Sequence, residues 1–375
     1  MNISKIILSA LFVGQLSSCM AQTKQTDISL KTTFKNKFLI GVAMNVNQIT
    51  GKDSVGDRVI AQNFSSIVAE NCMKSEVVQP VEGEFDFSLA DQFVKFGEKN
   101  KMFIIGHTLI WHSQTPRWFF TDDKGQQVSK EVLIERMHKH IATLVGRYKG
   151  RVKGWDVVNE AINDDGSYRE SPFYKIIGKD FIKLAFQFAH EADPDAQLYY
   201  NDYNMAMQGK REGVVKMVSE LKQAGLRIDA IGMQSHLGLD FPTVTEFEKS
   251  ILAFSSLGVK VMMTELDLSI LPSPWNNGGA NVSDKAEYQE KMNPYKKGIP
   301  ADKYAEWEKV YLSFFKLFLK HQDKISRVTL WGLSDADSWK NDWPIRGRTD
   351  YPLLFDRNHQ PKPIVAKIAE MTTNP

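Results

Sequence analysis

Only two cysteines occur in the 375 residues, Cys19 and Cys72. Cys19 belongs to a leader-like segment, so the folded part keeps one thiol and an intramolecular disulfide is excluded. Charge of one sign is also missing: 47 Lys and Arg balance 45 Asp and Glu, for a net charge of +2. Without a basic field to draw a polyanion, nucleic acid is excluded as the expected ligand. The apolar run over residues 6–16 is too short to span a bilayer, which takes about 20 residues. A glycine loop of the kind that cradles phosphate is lacking as well. What is present is an ordinary globular composition, 42% hydrophobic and 25% charged, with eight Trp. Aromatic content of 11% suits a ligand held by stacking on flat faces.

Residues 1–21 have the form of an export signal: Lys5 as the positive start, the short apolar run, then small residues. Leu16-Ser17-Ser18-Cys19 resembles a bacterial lipobox, in which Cys19 becomes the lipidated first residue; ordinary cleavage after Ala21 is the alternative. Either route predicts an exported protein: periplasmic, anchored to the outer membrane as a lipoprotein, or secreted. Residues 22–36 are polar and unpatterned and are expected to be a flexible tether, with one domain over 37–375. A monomer is expected.

From Phe38 onward, short apolar runs alternate with helical periodicity. Strands are expected at 38–42, 66–69, 102–106, 152–158, 197–200, 230–233, 260–264 and 327–330. Between them, Leu89, Phe93 and Phe96 follow a helical spacing, as do Leu133, Met137, Ile141, Leu144 and Tyr148. So do Val214, Val218 and Leu221; Phe247, Ile251 and Phe254; and Tyr304, Trp307, Tyr311, Phe314 and Phe318. Ser88 is placed as an N-cap, and Gly225 and Gly258 as C-caps. Eight strands with intervening helices point to a single-domain α/β fold, the closed (β/α)₈ TIM barrel. A doubly wound open sheet is the competitor, but it rarely needs eight units. Residues 270–300, rich in Pro, Asn and Gly, predict a long loop after the seventh strand.

Polar residues placed just after each strand converge on one rim. They are Glu70, Asn71 and Lys74; His107, Trp111, His112 and Gln114; Asn159 and Glu160; Asn201 and Asp202; Gln234 and His236; Glu265 and Asp267; and Trp331, Asp335 and Trp339. Two glutamates dominate the set. Paired carboxylates at strand ends are what cleavage of a glycosidic bond needs, because the leaving oxygen must be protonated while negative charge supports the developing cation. The acid needs a raised pKa and the nucleophile needs hydrogen-bond donors. Gln234 and His236 can donate to Glu265, with Asp267 orienting His236. That favours Glu265 as nucleophile and Glu160 as acid/base, although residue types alone leave the reverse open.

Five segments together resemble glycoside hydrolase family 10. They are Gly106-His107-Thr108-Leu109-Ile110-Trp111-His112-Ser113-Gln114, Trp155-Asp156-Val157-Val158-Asn159-Glu160, Gln234-Ser235-His236-Leu237, Thr264-Glu265-Leu266-Asp267, and Trp331-Gly332-Leu333-Ser334-Asp335 with Ser338-Trp339. The likeness covers roughly residues 36–370 and implies a retaining endo-β-1,4-xylanase acting on xylan and xylo-oligosaccharides without a cofactor. It implies Glu160 as acid/base and Glu265 as nucleophile, with His107, Asn159, Gln234 and His236 lining the subsite of bond cleavage. Asn159 is expected to bond the sugar 2-hydroxyl. Glu70, Asn71, Lys74 and Trp331 would bind the next sugar on the non-reducing side. Gln114 and Trp339 resemble residues that crowd the space a glucose hydroxymethyl group would fill, selecting xylose by rejection. The chain departs from the pattern at Cys72 and in the loop after Asp267.

Blander readings apply elsewhere. His107 and His112 lack the spacing of a metal pair, and no metal is expected. Trp111 and Trp339 are placed as stacking surfaces, Trp155 as packing, Cys72 as a small buried residue, and Asp335 as a brace for the Trp331 loop. Two other functions fit the same barrel: a cellulase or mixed-linkage glucanase, and a non-catalytic glycan-binding lipoprotein.

Overall fold

The computed structural model describes residues 28–273 and 292–373. The expected export signal, the beginning of the tether and most of the loop at 270–300 lie outside the described residues. Nine strands appear among them: β1 (Leu39–Met44), β2 (Ser66–Ala69), β3 (Phe103–Trp111), β4 (Gly154–Asn159), β5 (Gln197–Asp202), β6 (Ala230–Met233), β7 (His236–Leu237), β8 (Lys260–Leu268) and β9 (Ile325–Leu330). Each pairs in parallel with its neighbour, β9 returns to β1, and β6 pairs with β8, which closes an eight-stranded barrel. The two-residue β7 extends the β8 edge at the rim. Strands buried on both faces explain the near-continuous apolar runs.

Two hydrophobic layers result. A large one, including Ile104, Val157, Val261 and Met263, lies between the strands and the helices. A small one inside the barrel contains Ala43, Val68, Ile105, Tyr199, Ala230, Met262 and Trp331. Helices Ser88–Lys99, Lys130–Arg147, Gln208–Gln223, Val244–Ser255 and Ala301–Lys320 carry the periodic residues named above, with Tyr148 just past its helix as the C-cap. Leu89, Phe96 and Tyr304 are half-buried against the core and the rest are buried. Gly225 and Gly258 take φ of 74° and 73°, the left-handed conformation that ends a helix at little cost to glycine.

Two expectations need correction. Ser88 is the first helical residue rather than the cap; its backbone N–H donates to Asp86, two residues earlier. The tether does not reach residue 36. Leu30–Thr33 form a helical turn, and Leu30 and Phe34 are fully buried, Phe34 stacking on Phe38 at 4.9 Å. Two apolar side chains four residues apart are too few to register as periodicity, yet they suffice to dock one turn.

Two of the register irregularities bear on the site. The β8–β9 register shifts between Met263 and Leu266, and the β3–β4 register between His107 and Ile110. In β8, Met263 and Leu266 both belong to the outer layer, whereas Thr264 and Glu265 both bond Asn201. Strict alternation would have sent Glu265 outward. The bulge supplies the extra residue that turns it into the barrel mouth.

Candidate active site

Backbone bonds set four strand ends at one level. Glu160 N–H donates to Asn201 O at 2.9 Å, Gln234 N–H to Asp202 O at 2.9 Å, and Glu265 N–H to Gln234 O at 2.8 Å. This ladder continues the barrel around its rim, so Glu160 after β4 and Glu265 on β8 face the same mouth.

Their side chains are joined by amides. Glu160 Oε1 accepts from Gln234 Nε2 at 2.9 Å and from Asn159 Nδ2 at 3.3 Å, while Oε2 accepts from Trp111 Nε1 at 2.9 Å. Asn201 Nδ2 donates to Asn159 Oδ1 at 3.0 Å and to Glu265 Oε1 at 2.8 Å. The Thr264 hydroxyl donates to Asn201 Oδ1 at 2.6 Å, which keeps the amide N–H₂ turned toward Glu265. Only two amide side chains separate the carboxylates. Gly232 leaves room for this arrangement, since a Cβ there would lie 2.4 Å from Asn201 Oδ1.

The two carboxyls are driven in opposite directions. Burial pushes Glu160 above the usual carboxylate range, and the charges of Asp202 and Glu265 push it further. Burial acts on Glu265 in the same sense, but the hydrogen bond and charge of His236, with help from Asn201, hold it below that range. His236 lies between two acids, Nδ1 at 2.9 Å from Asp267 and Nε2 at 3.2 Å from Glu265. Burial opposes its charge, yet the pair of carboxylates raises it to about 9, so it is an imidazolium at neutral pH. One carboxyl fitted to keep its proton beside one fitted to stay ionised is the division of labour that acid-assisted displacement requires.

The remaining expected residues gather around this pair. Lys74 Nζ donates to Asn71 Oδ1 at 2.9 Å and Gln114 Oε1 at 2.8 Å, and sits 5.0 Å from the Trp111 ring centre. Burial lowers the Lys74 pKa, opposed by Glu265, Glu70 and Glu160 around it. His107 Nδ1 lies 2.9 Å from Asp156 Oδ2, and its ring meets Trp331 edge-on at 5.4 Å. Trp339 packs 5.1 Å from His236, and its indole N–H donates to Asp267 at 2.9 Å. Trp155 is fully buried in the outer layer, and Cys72 is a buried free thiol pushed up to about 12.

Asp335 and His112 stand apart from the pair. The Asp335 carboxylate accepts from Leu353 N–H at 3.0 Å and pairs with Lys362 at 2.8 Å, tying the strand-nine loop to the C-terminal segment. His112 is kept neutral, its pKa lowered to about 3 by burial and by the nearby Arg169 and Lys210 charges. Among the described residues, the grouping able to ligate a metal is Asp53, Asp337 and His359, which includes neither glutamate of the pair.

Sequence reasoning gives Asp156 and Thr264 no role at the site and puts Asn201 on the rim without one. Asp156 carries a readable signal, being a charged residue in the middle of an apolar strand.

Against known proteins, the chain matches the model of glycosyl hydrolase family 10 over residues 29–371. Endo-1,4-beta-xylanase A of Xylanibacter ruminicola is 51% identical over 364 residues, covering 97% of this chain and 99% of that protein. An endo-1,4-beta-xylanase of Geobacillus stearothermophilus is 39% identical over 353 residues, covering 92% and 98%. Among solved structures, a GH10 endoxylanase retrieved from a sugarcane soil metagenome superposes with a TM-score of 0.89 at 48% identity, covering 92% of this chain and all of that one.

Proposed function

The chain belongs to glycosyl hydrolase family 10, and from that membership together with the site geometry we propose that it is a retaining endo-1,4-β-xylanase. The observation that carries the reading is the pair of buried glutamates on one rim, bridged by amides, with pKa values driven in opposite directions.

The reaction runs in two displacements. Protonated Glu160 gives its proton to the glycosidic oxygen as the Glu265 carboxylate attacks the anomeric carbon. The leaving chain departs as an alcohol, and a glycosyl ester to Glu265 remains. Glu160, now ionised, takes a proton from water as that water attacks the same carbon and frees Glu265. Two inversions give net retention. Asn159, held by Asn201 and Gln234, is placed to bond the sugar 2-hydroxyl, a contact that strengthens as the ring flattens.

His236 keeps the nucleophile ionised. In His236→Asn, burial of Glu265 persists while its charged partner is gone, so the Glu265 pKa rises. Activity needs the ionised form, and the acidic limb of the kcat/KM profile is therefore expected to move to higher pH. An unmoved acidic limb contradicts this role.

Gln114 is fixed by Lys74, and Trp339 by Asp267, so both form rigid walls rather than adaptable ones. Rigid walls reject a sugar bearing an extra hydroxymethyl group. The functional reading is tested by comparing xylohexaose with cellohexaose: kcat/KM is expected to favour the xylose oligomer by on the order of 10²-fold. Equal rates would make the protein a general β-1,4-glycanase. The export and lipid-anchor readings of residues 1–21 belong to the same proposal, since a polymeric substrate lies outside the cell. Among the described residues, no helix is long and apolar enough to cross a membrane.

A further inference from the structure

Behind the cleft lies a buried polar cluster whose charge bears on Glu160 and whose hydrogen bonds serve the backbone just after β4. Tyr200, Asp202 and Lys210 are fully buried, with Lys210 Nζ 2.8 Å from Asp202 Oδ1 and the Tyr200 hydroxyl donating to Asp202 Oδ2 at 2.5 Å. Burying an ion pair contributes little to stability compared with apolar packing of similar volume. Its placement points to another use.

Glu160 has φ of 59°, a left-handed conformation uncommon for a residue with a side chain. Such a conformation persists only where its surroundings over-determine it. Here the backbone polar groups just after β4 are held in turn. Glu160 N–H is fixed by Asn201 O, and Glu160 O accepts from Arg169 Nε at 2.8 Å. Ala161 N–H donates to the Tyr200 hydroxyl at 3.0 Å, and Ile162 N–H to Asp202 Oδ2 at 3.4 Å. Arg169 N–H closes the turn on Ala161 O at 2.8 Å. Tyr200 bonds both the Ala161 backbone and the Asp202 carboxylate.

We propose that Tyr200, anchored by Asp202 and opposed by Arg169, is a positioning clamp that aims the Glu160 carboxyl at the leaving oxygen. The proposal rests on Glu160 being the acid/base. It places Tyr200 and Arg169 behind proton transfer, not behind sugar binding or nucleophilic attack. The Asp202 charge acts in the same direction, being the largest influence after burial that raises the Glu160 pKa.

A clamp on the acid has a signature that a general structural role lacks. Protonation matters when the leaving group is a sugar alcohol and hardly at all when it is dinitrophenolate. The test compares kcat/KM for xylotetraose and for 2,4-dinitrophenyl β-xylobioside in the wild type, Tyr200→Phe, Arg169→Lys and Glu160→Ala. In each clamp variant, xylotetraose cleavage is expected to fall about tenfold, a fraction of the 10²–10⁴ that a general acid provides. The aryl glycoside should stay within about twofold of wild type, and the basic limb of the xylotetraose profile should shift.

Equal losses on both substrates, or no loss on xylotetraose, overturn the clamp. If Tyr200→Phe fails to fold, Arg169→Lys carries the same comparison. Glu160→Ala separates the two claims. Where it shows the leaving-group contrast and the clamp variants do not, only the clamp fails; where Glu160→Ala lacks the contrast, the acid/base assignment fails and the clamp with it.

Discussion

Glu265→Ala should hydrolyse xylan slower by on the order of 10⁴-fold or more, the scale seen when a covalent nucleophile is removed. The fold should survive, because Glu265 lies in the rim-side half of β8 with its side chain in the barrel mouth, and Lys260–Thr264 below it are unaffected. Its far-UV circular dichroism should match that of the wild type. Azide supplies the decisive part of the experiment. Alanine leaves a small space beside the His236 imidazolium and the Asn201 amide, both of which face the missing carboxylate. An anion entering there attacks the anomeric carbon in a single displacement. The product expected from an activated xyloside is therefore the α-xylosyl azide, inverted relative to the substrate. Full activity without azide removes Glu265 from the chemistry. A retained azide product moves the nucleophile's role to another residue.

Glu160→Ala should fail differently. On xylan the loss is expected to be about 10²–10⁴-fold, the usual contribution of a positioned general acid. On a dinitrophenyl xyloside, kcat/KM should stay near wild type, because that leaving group needs no proton. The second step still lacks its base, so kcat should drop, and azide should restore it by giving a retained β-xylosyl azide. The pH profile adds a separate check. Burial and the Asp202 charge raise the Glu160 pKa, and the proposed reaction begins with Glu160 protonated. Wild-type activity therefore falls as pH rises through a value above the ordinary carboxylate range. That basic limb should vanish in Glu160→Ala when the aryl substrate is used. A basic limb that persists unchanged belongs to some other group.

The barrel could be read from the chain because strands buried on both faces leave dense apolar runs, and helices leave their own spacing. Ser66–Ala69 and Ala230–Met233 match the expected bounds residue for residue. Strands β3 and β8 run four or five residues past their expected ends. In both, polar side chains point into a cleft where apolar ones would otherwise continue, so the apolar signal stops before the strand does. The bulge at Thr264 and Glu265 is silent for a related reason. An inserted residue changes which way a side chain points but not which residues are present. Asp156 and Asn201 do their work through partners from other strands, His107 in one case and Glu265 in the other, and such pairings are set by register rather than by local sequence. The docked turn at Leu30–Thr33 is likewise a tertiary event, decided by the apolar surface around Phe38 and Phe315.

Proton NMR of the sugar released first from a xylo-oligosaccharide, followed before mutarotation scrambles it, reads the geometry at the reacting carbon directly. Two side chains working in sequence from opposite faces of one ring must deliver the β-hemiacetal first, with the α form growing in only later. Early appearance of the α form would mean that water attacks in one step, and Glu265 could not then be bonded to sugar at any stage.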